Sequence, residues 1–176
     1  MIFLDIETSE FEPGRCKPSG LTIESILAWQ VRLHECAPSG LFFSTSRKAG
    51  GGERGLIEEF GKWLHELRDK IVVGSNILKF DIPVLLLRCS ELCPNLLDEL
   101  FSILNRCNII DLLVIETYRR KGKIVSLRDA CKEYGIKEPM ERPKRPDEEQ
   151  LFKYQESELS ALVKLFYKIY PLRLCN

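Results

Sequence analysis

The first eight residues, MIFLDIET, place two carboxylates directly after a run of four apolar residues. Side chains alternate between the two faces of an extended strand, so Asp5 and Glu7 share one face while Leu4 and Ile6 share the other. A strand this apolar is typical of the middle of a sheet that is covered on both sides. Two acids on one face repel each other and resist desolvation, which a divalent cation between them would relieve. The alternative is that the chain leaves the sheet at Asp5 and both acids reach water.

The composition favours one globular domain over residues 1–176. The sequence is 44% hydrophobic and 30% charged, as in soluble proteins, and 26 basic residues balance 26 acidic ones. A nucleic-acid partner would therefore need a local basic patch or bound metal ions. No apolar run approaches the roughly 20 residues of a membrane span, and the N-terminus reads as a strand rather than a secretory signal. We expect a cytoplasmic protein without membrane association.

Seven cysteines are many for a chain of this length, but their number is odd and no C-x-x-C pair occurs. This pattern argues against a zinc ribbon, and disulfides are unusual inside cells. We expect most of the cysteines to be small apolar core residues.

Hydrophobic alternation predicts that the chain begins with an antiparallel meander. Residues 26–33 alternate between apolar and polar side chains, which indicates a half-buried strand. Its apolar face is formed by Leu27, Trp29, Val31 and Leu33. Residues 38–40, Pro-Ser-Gly, predict a turn, and residues 41–45 predict the returning strand.

From Glu53 to Leu67 the hydrophobic period becomes that of a helix. A short apolar strand follows at Ile71–Gly74, parallel to the first strand because a helix precedes it. Further elements are predicted as helices at residues 81–92, from Pro94, from Ser126 to about Gly135 and at residues 148–170, and as a strand at residues 108–111. The three prolines in residues 138–149 predict a linker or exposed loop. These elements indicate an α/β domain with a five-stranded mixed sheet, three antiparallel strands and then parallel ones, flanked by helices.

Three further acids stand where they could join the pair in the first strand. Asp81 follows the predicted fourth strand at a strand-to-helix turn, which is the usual ligand-binding edge of an α/β sheet. Glu158 lies one turn from Tyr154 on the final helix, and Asp111 ends the predicted fifth strand. Acids from separated elements suit two hard cations with oxygen ligands. Taken singly, Asp81 could instead be a helix cap, and Tyr154 an ordinary residue of an amphipathic helix.

In this order the motifs resemble the DEDD superfamily of 3′→5′ exonucleases, which have the ribonuclease H-like fold. Within it they resemble the tyrosine-bearing branch, as in the proofreading domain of family-B DNA polymerases and stand-alone relatives. The Asp-x-Glu motif is met at residues 5–7, the Asn-x3-Phe-Asp motif at residues 76–81, and the Tyr-x3-Asp motif at residues 154–158. The resemblance covers nearly the whole chain and departs at the fourth acid, where Glu158 replaces the usual Asp.

The resemblance implies two Mg²⁺ or Mn²⁺ ions that together stabilise an in-line displacement at phosphorus. The implied metal ligands are Asp5, Glu7, Asp81 and Glu158. Tyr154 would orient the attacking water. The residues that flank the acids and would contact the terminal nucleotide are Thr8, Asn76 and Phe80. The expected substrates are the 3′ ends of single-stranded DNA or RNA, and both sugars remain candidates.

A binding module without nuclease activity is the alternative function. The side chain of Glu158 is one methylene longer than that of Asp, and catalytic sites tolerate displacements of only about 0.5 Å. A weak or inactive nuclease fold would bind nucleic acid or a partner protein without cutting. The basic run at residues 119–123 could hold phosphates or could form a solvated loop.

Overall fold

A computed structural model of the chain describes residues 1–9, 21–31, 38–46 and 51–170, which form strands first and then alternating helices and strands. The strands are β1 (Ile2–Thr8), β2 (Ile23–Val31), β3 (Pro38–Ser46), β4 (Ile71–Gly74) and β5 (Asn108–Asp111). The helices are α1 (Glu53–Gly61), α2 (Leu64–Leu67), α3 (Asp81–Leu92), α4 (Pro94–Leu104), α5 (Leu112–Arg119), α6 (Leu127–Glu133) and α7 (Glu148–Ile169).

The strands form one mixed sheet in the order β3-β2-β1-β4-β5. β1 pairs antiparallel with β2, and β2 with β3, whereas β4 runs parallel to both β1 and β5. The apolar β1 therefore lies in the centre of the sheet, where helices can cover both of its faces. The predicted α/β class, the mixed sheet and the antiparallel meander are confirmed.

The alternation along β1 assigns its side chains to two cores on opposite faces of the sheet. The core on the side of α1, α3 and α4 contains Ile2, Leu4 and Ile6. Phe3 belongs to the other core and meets Phe166 of α7 edge to face, with 5.7 Å between ring centroids. Asp5 and Glu7 follow Phe3 on the same face of the strand. The two acids therefore lie on the side of the sheet that α7 covers.

β2 differs from its prediction in both position and burial. It begins at Ile23 and ends at Val31, and residues 32–37 lie outside the described part of the chain. Ile26 and Ala28 are as fully buried as Leu27, although they point to the opposite face. The prediction of a half-buried strand is wrong at Ile26 and Ala28, where the two cores cover β2 on both sides, whereas Gln30 is exposed as predicted.

The predicted turn at residues 38–40 is instead the beginning of β3. Val31 pairs with Pro38, and Gln30 pairs with Gly40. Proline has no N–H to donate, which is tolerated at the first residue of an edge strand such as β3. Proline and glycine therefore mark the beginning of this edge strand and not the turn before it.

The helical stripe from Glu53 to Leu67 is divided into α1 and α2, so the prediction of one continuous helix is wrong. A Cβ atom on Gly61 would lie 2.7 Å from Leu96 Cδ1 of α4, so α4 closely approaches the end of α1. The helix α5 has no predicted counterpart, whereas α3, α4, α6, α7, β4 and β5 confirm their predictions within a few residues. Among the described helices, none combines the length and the apolar composition that crossing a bilayer requires.

The cysteines that the structure describes are free thiols. Cys89, Cys93 and Cys131 are buried in the two cores, which confirms the prediction of core residues for these three. Cys16, Cys36 and Cys175 lie outside the described residues.

Candidate functional site

The candidate site is a cleft of about 820 Å³ that opens where β1 and β4 separate. β4 pairs with β1 only at Ile2 and Phe3 of β1, so the amide of Ile6 has no partner on that strand. Asp81 Oδ1 accepts this amide at 2.9 Å. The eight predicted site residues all line the cleft: Asp5, Glu7, Thr8, Asn76, Phe80, Asp81, Tyr154 and Glu158. The structure brings these side chains together, and their functions stay predictions.

The turn between β4 and α3 is held in place by Asp111. Its carboxylate accepts the amides of Asn76 at 3.0 Å and Leu78 at 3.1 Å, and it also caps α5. Asn76 has a positive φ of 63°, which is uncommon for a residue with a side chain. Asp111 is thus engaged by backbone N–H groups and shapes the cleft wall. The prediction that it joins the acidic cluster is wrong.

Gly74 allows this turn to fold back tightly over the end of β4. A Cβ atom at Gly74 would lie 2.5 Å from Ile77 Cβ, which is closer than two carbon atoms approach without a shift of the backbone. The side chain of Ile77 is fully buried and packs over the strand end. The close approach requires glycine at this position.

Three acids from β1 and α7 form the centre of the cleft. Asp5, Glu7 and Glu158 each offer a carboxylate oxygen, and these three oxygens lie within 4.8 Å of one another. Asp81 lies outside this group, with one of its oxygens on the Ile6 amide. Carboxylate oxygens at such spacing are the ligands that Mg²⁺ and Mn²⁺ prefer. The cluster could therefore hold a metal ion.

All four acids have pKa values above their ordinary range. Burial raises the pKa of Asp5 to about 6 and, together with the charge of Asp5, raises the pKa of Glu158 to about 8. Burial and the charge of Asp5 also raise the pKa values of Glu7 and Asp81 well above normal. The acids thus lie in surroundings with too little positive charge to keep them all ionised. A divalent cation would supply that charge.

Tyr154 lies one helical turn before Glu158 on α7, and the two side chains are hydrogen-bonded. Burial raises the pKa of the Tyr154 hydroxyl, and the charges of Glu158 and Glu7 raise it further. The phenol is therefore protonated at neutral pH and donates a hydrogen bond. This state suits a residue that orients another group and does not suit a general base.

Gln155 is a site residue that the sequence analysis missed. Its Nε2 donates to Asp5 Oδ2 at 3.0 Å, and its Oε1 accepts a hydrogen bond from Ser25 Oγ of β2 at 2.7 Å. The side chain is 1% exposed. The chain of hydrogen bonds holds one oxygen of Asp5 and leaves the other for a further ligand. The signal in the sequence was a serine inside the apolar strand β2, which needs a polar partner when buried.

Arg142 is the second missed residue, and it comes from the segment predicted as a linker. Its Nη2 lies 3.2 Å from Glu7 Oε2 and also donates to the carbonyl oxygen of Thr8. Among the described residues, Arg142 is the one cation in an ion pair with any of the four cleft acids. The segment is a largely exposed loop, as predicted, but it also carries the half-buried Arg142 into the cleft, which the prediction did not include.

The basic run at residues 119–123, unlike Arg142, does not line the cleft. Arg119 and Arg120 pair with the buried Glu116 and with Glu133 of α6, so their charges are compensated within the fold. Lys121 and Lys123 are exposed and do not line the cleft. The two interpretations of this run were a phosphate-binding site and a solvated loop. The structure favours the interpretation without a phosphate site.

Comparison with known proteins identifies the fold but no family. No protein-family model matches the sequence, and no curated protein is significantly similar to it. Among solved structures, the chain is similar to the family B DNA polymerase from the hyperthermophilic archaeon Pyrobaculum calidifontis, with a TM-score of 0.65 and 21% sequence identity. The similarity covers 97% of this chain and 24% of the polymerase chain. This chain therefore spans about a quarter of the polymerase and shares the fold of that part.

Proposed function

We propose that this chain is a metal-dependent 3′→5′ exonuclease of the ribonuclease H-like fold that hydrolyses phosphodiester bonds at single-stranded nucleic-acid ends. The observation that carries the proposal is the convergence of acids from β1, α3 and α7 beside the ends of the parallel strands. The ordered motifs in the sequence support it. The fold shared with part of a family B DNA polymerase agrees with the resemblance that these motifs indicate.

The donor set of the cleft fits hard divalent cations. Asp5, Glu7 and Glu158 would hold one ion through their clustered oxygens, and Asp81 would contribute to a second with the oxygen that does not accept the Ile6 amide. When bound, two Mg²⁺ or Mn²⁺ ions would supply electrostatic stabilisation for an in-line displacement at phosphorus. The raised pKa values of the acids support this assignment, because the cluster gains most from added positive charge.

The remaining side chains of the cleft would orient the reactants. Tyr154, protonated and next to Glu158, would direct the attacking water through its hydroxyl. Phe80 and Asn76 line the cleft where a terminal base would lie, and an aromatic ring there suits stacking on a base. Thr8 Oγ1 is buried without a hydrogen-bond partner among the described residues, so it is available to contact a ligand.

The test is the digestion of a single-stranded oligonucleotide with a 5′ label, in DNA and RNA versions, with Mg²⁺ or Mn²⁺. The protein should shorten the substrate stepwise from its 3′ end, and Asp5→Asn should abolish the reaction. Asp98→Asn is the matched control, because it makes the same chemical change on the exposed surface of α4 and should leave the rate unchanged. Shortening that persists in Asp5→Asn and in EDTA would refute the metal-dependent assignment.

A second candidate is a nuclease fold that binds nucleic acid without cutting it. The observations that favour it are the longer Glu158 and the presence of Arg142 on Glu7, a carboxylate that a metal ion would also need. This candidate predicts binding of the same oligonucleotide with no shortening at millimolar Mn²⁺. Stepwise products in the digestion assay would exclude it.

A further inference from the structure

The segment that joins α6 to α7 lines the cleft and is held near both ends; we refer to residues 138–147 as the strap. Near its start, the amide of Met140 donates to Ser157 Oγ of α7 at 2.9 Å. At its end, Asp147 forms a capping box with Gln150 at the first turn of α7. Between these points, residues 142–146 line the cleft, and Arg142 contacts Glu7 and Thr8 of β1. The strap is therefore a wall of the cleft.

The charges of the strap are divided between its two halves. In the first half, Glu138 and Glu141 pair with Arg128 of α6. The second half contains three cations and no acid between residues 142 and 146. Within the described part of the chain, Lys144 and Arg145 form no ion pair, and both are exposed at the cleft. The strap thus presents its uncompensated positive charge to the cleft.

Arg142 differs from these two cations because it has a carboxylate partner. Its guanidinium contacts Glu7, and Glu7 also belongs to the cluster of three acids that could hold a metal ion. Arg142 and a divalent ion would therefore compete for the same carboxylate. A guanidinium released from Glu7 would still lie at the cleft, because the strap is held at Met140 and Asp147.

We propose that the strap is a phosphate-binding wall for the backbone of a single-stranded nucleic acid, and that Arg142 exchanges Glu7 for a phosphate when a divalent cation binds Glu7. The inference rests on the proposed function in one respect, namely that the ligand is a nucleic acid. It does not require that the chain cuts this ligand.

The charge distribution across the cleft supports a phosphate ligand. The cleft carries four acids, so an anionic strand would be repelled unless other residues that line the cleft supply positive charge. The guanidinium fork of arginine matches the geometry of phosphate oxygens, and lysine adds a point charge. The chain has no net charge, so attraction to a polyanion must come from a local patch such as this one. Contacts of this kind are independent of base sequence.

The first test measures binding of Mn²⁺ alone by calorimetry. Arg142→Gln removes the competing cation, so Mn²⁺ should bind about tenfold more tightly than in the original chain. Arg142→Lys keeps a positive charge and should leave the Mn²⁺ affinity close to that of the original chain. Both variants are checked for folding by circular dichroism, so a loss of structure is recognised directly. Unchanged or weaker Mn²⁺ binding in a folded Arg142→Gln variant would overturn the exchange.

The second test measures binding of a fluorescent oligothymidylate, protected at its 3′ end by phosphorothioate linkages, in the presence of Ca²⁺. Lys144→Gln/Arg145→Gln should weaken binding, and the slope of log K against log salt should fall by about 0.7 for each cation removed. The matched control is Lys121→Gln/Lys123→Gln, which removes two exposed charges outside the cleft and should leave binding unchanged. Arg142→Gln should weaken oligonucleotide binding although it strengthens Mn²⁺ binding. These opposite signs distinguish the exchange from a general loss of structure.

The outcomes separate this inference from the proposed activity. If the original chain binds the oligonucleotide and the strap variants weaken that binding, the strap proposal stands even when no shortening is observed. If the original chain cuts the oligonucleotide but the strap variants bind it as well as the control pair does, the strap proposal is wrong and the proposed activity stands.

Discussion

Two groups of acids, each buried or half-buried in the described part of the chain, differ in their partners. One group is compensated within the fold: Glu53 accepts the amide of Ile23 at 2.7 Å and pairs with Arg88 at 2.6 Å. Glu116, fully buried, is paired with Arg119 and accepts a hydrogen bond from Tyr134. The second group consists of the four acids of the cleft. These acids line one cleft, and the one ion pair that any of them forms among the described residues is that of Glu7 with Arg142.

The difference between these groups indicates which acids stabilise the fold and which are available for chemistry. The charge of a buried carboxylate that is paired with a guanidinium is compensated within the fold. The cleft acids instead raise one another's pKa values, which costs stability in the absence of a cation. Such uncompensated clusters are typical of functional sites, because an added ligand then recovers the lost free energy.

The largest expected effect is that of Asp5→Asn. Loss of a metal ligand worth several kcal/mol of transition-state stabilisation should reduce the cleavage rate by about a thousandfold or more. The same substitution removes charge repulsion, so the metal-free protein should unfold at a higher urea concentration than the original chain. The two readouts are the digestion rate and urea unfolding followed by circular dichroism in EDTA. A less stable Asp5→Asn variant would contradict the contrast between the two groups of acids.

The reciprocal change is Glu53→Gln in the compensated group. It removes the charge that the buried Glu53 presents to the partly buried Arg88 and leaves the guanidinium with Glu91 alone. The free energy of unfolding should therefore fall by about 1.5–3 kcal/mol, as for a lost hydrogen bond between charged groups. Below the unfolding transition the cleavage rate should be unchanged, since Glu53 lies outside the cleft. Urea unfolding and the digestion assay at low temperature measure the two effects. The double variant Glu53→Gln/Arg88→Met serves as a control and should recover part of the lost stability.

Substitutions of Glu158 should have intermediate effects on activity. Glu158→Gln keeps the shape and removes the charge, so metal affinity and rate should fall together, by about a hundredfold in rate. The oxygen of Glu158 already lies within 4.8 Å of those of Asp5 and Glu7. Glu158→Asp would withdraw it by about 1.5 Å, the length of one carbon–carbon bond, so its rate should also fall, although less than that of Glu158→Gln. A faster Glu158→Asp variant would mean that the cluster closes better around the shorter side chain.

The stability of the metal-free protein should decrease as the pH rises, because folding raises the pKa values of the cleft acids. The pKa values of Asp5 and Glu158 are near 3.8 and 4.5 in an unfolded chain; in the folded chain burial raises the pKa of Asp5 to about 6, and burial and the charge of Asp5 raise the pKa of Glu158 to about 8. Between these limits the folded chain binds more protons, so stability should decrease as the pH rises from about 4 to 8, by about 1.4 kcal/mol per pH unit for each proton. Urea unfolding between pH 5 and 8 measures this slope. Asp5→Asn should make it shallower, and Mn²⁺ should stabilise the original chain more at pH 8 than at pH 6.

The smallest expected effect comes from the hydrogen bonds behind Asp5. Ser25→Ala leaves the Oε1 atom of Gln155 without its donor and should cost about 0.5–1.5 kcal/mol of the free energy of unfolding. The rate should fall severalfold, since Asp5 then loses part of its orientation. Ser25→Thr retains a hydroxyl and should preserve more of the rate than alanine does. Equal rates for both variants and the original chain would mean that this hydrogen bond does not position Asp5.

Local pattern was sufficient to predict most of the elements and the acids at the cleft. The period of two in residues 1–8 predicted that Asp5 and Glu7 share a face, and the structure places both on the side of α7. The helical spacing of Tyr154 and Glu158 likewise predicted their shared face. These relations depend only on the geometry of one strand and one helix, so the sequence was enough to determine them.

Tertiary structure decided which polar groups those acids would meet. Gln155 reaches Asp5 because α7 packs across β1, and Arg142 reaches Glu7 because the strap is fixed to α7 at Met140. These partners lie more than 100 positions apart in the chain, and their contacts are set by how the helices pack on the sheet. Asp111 shows the same limit, since nearby amides, rather than its place at a strand end, determined its role. The sequence alone determined which side chains share a face, whereas packing determined which charges are compensated.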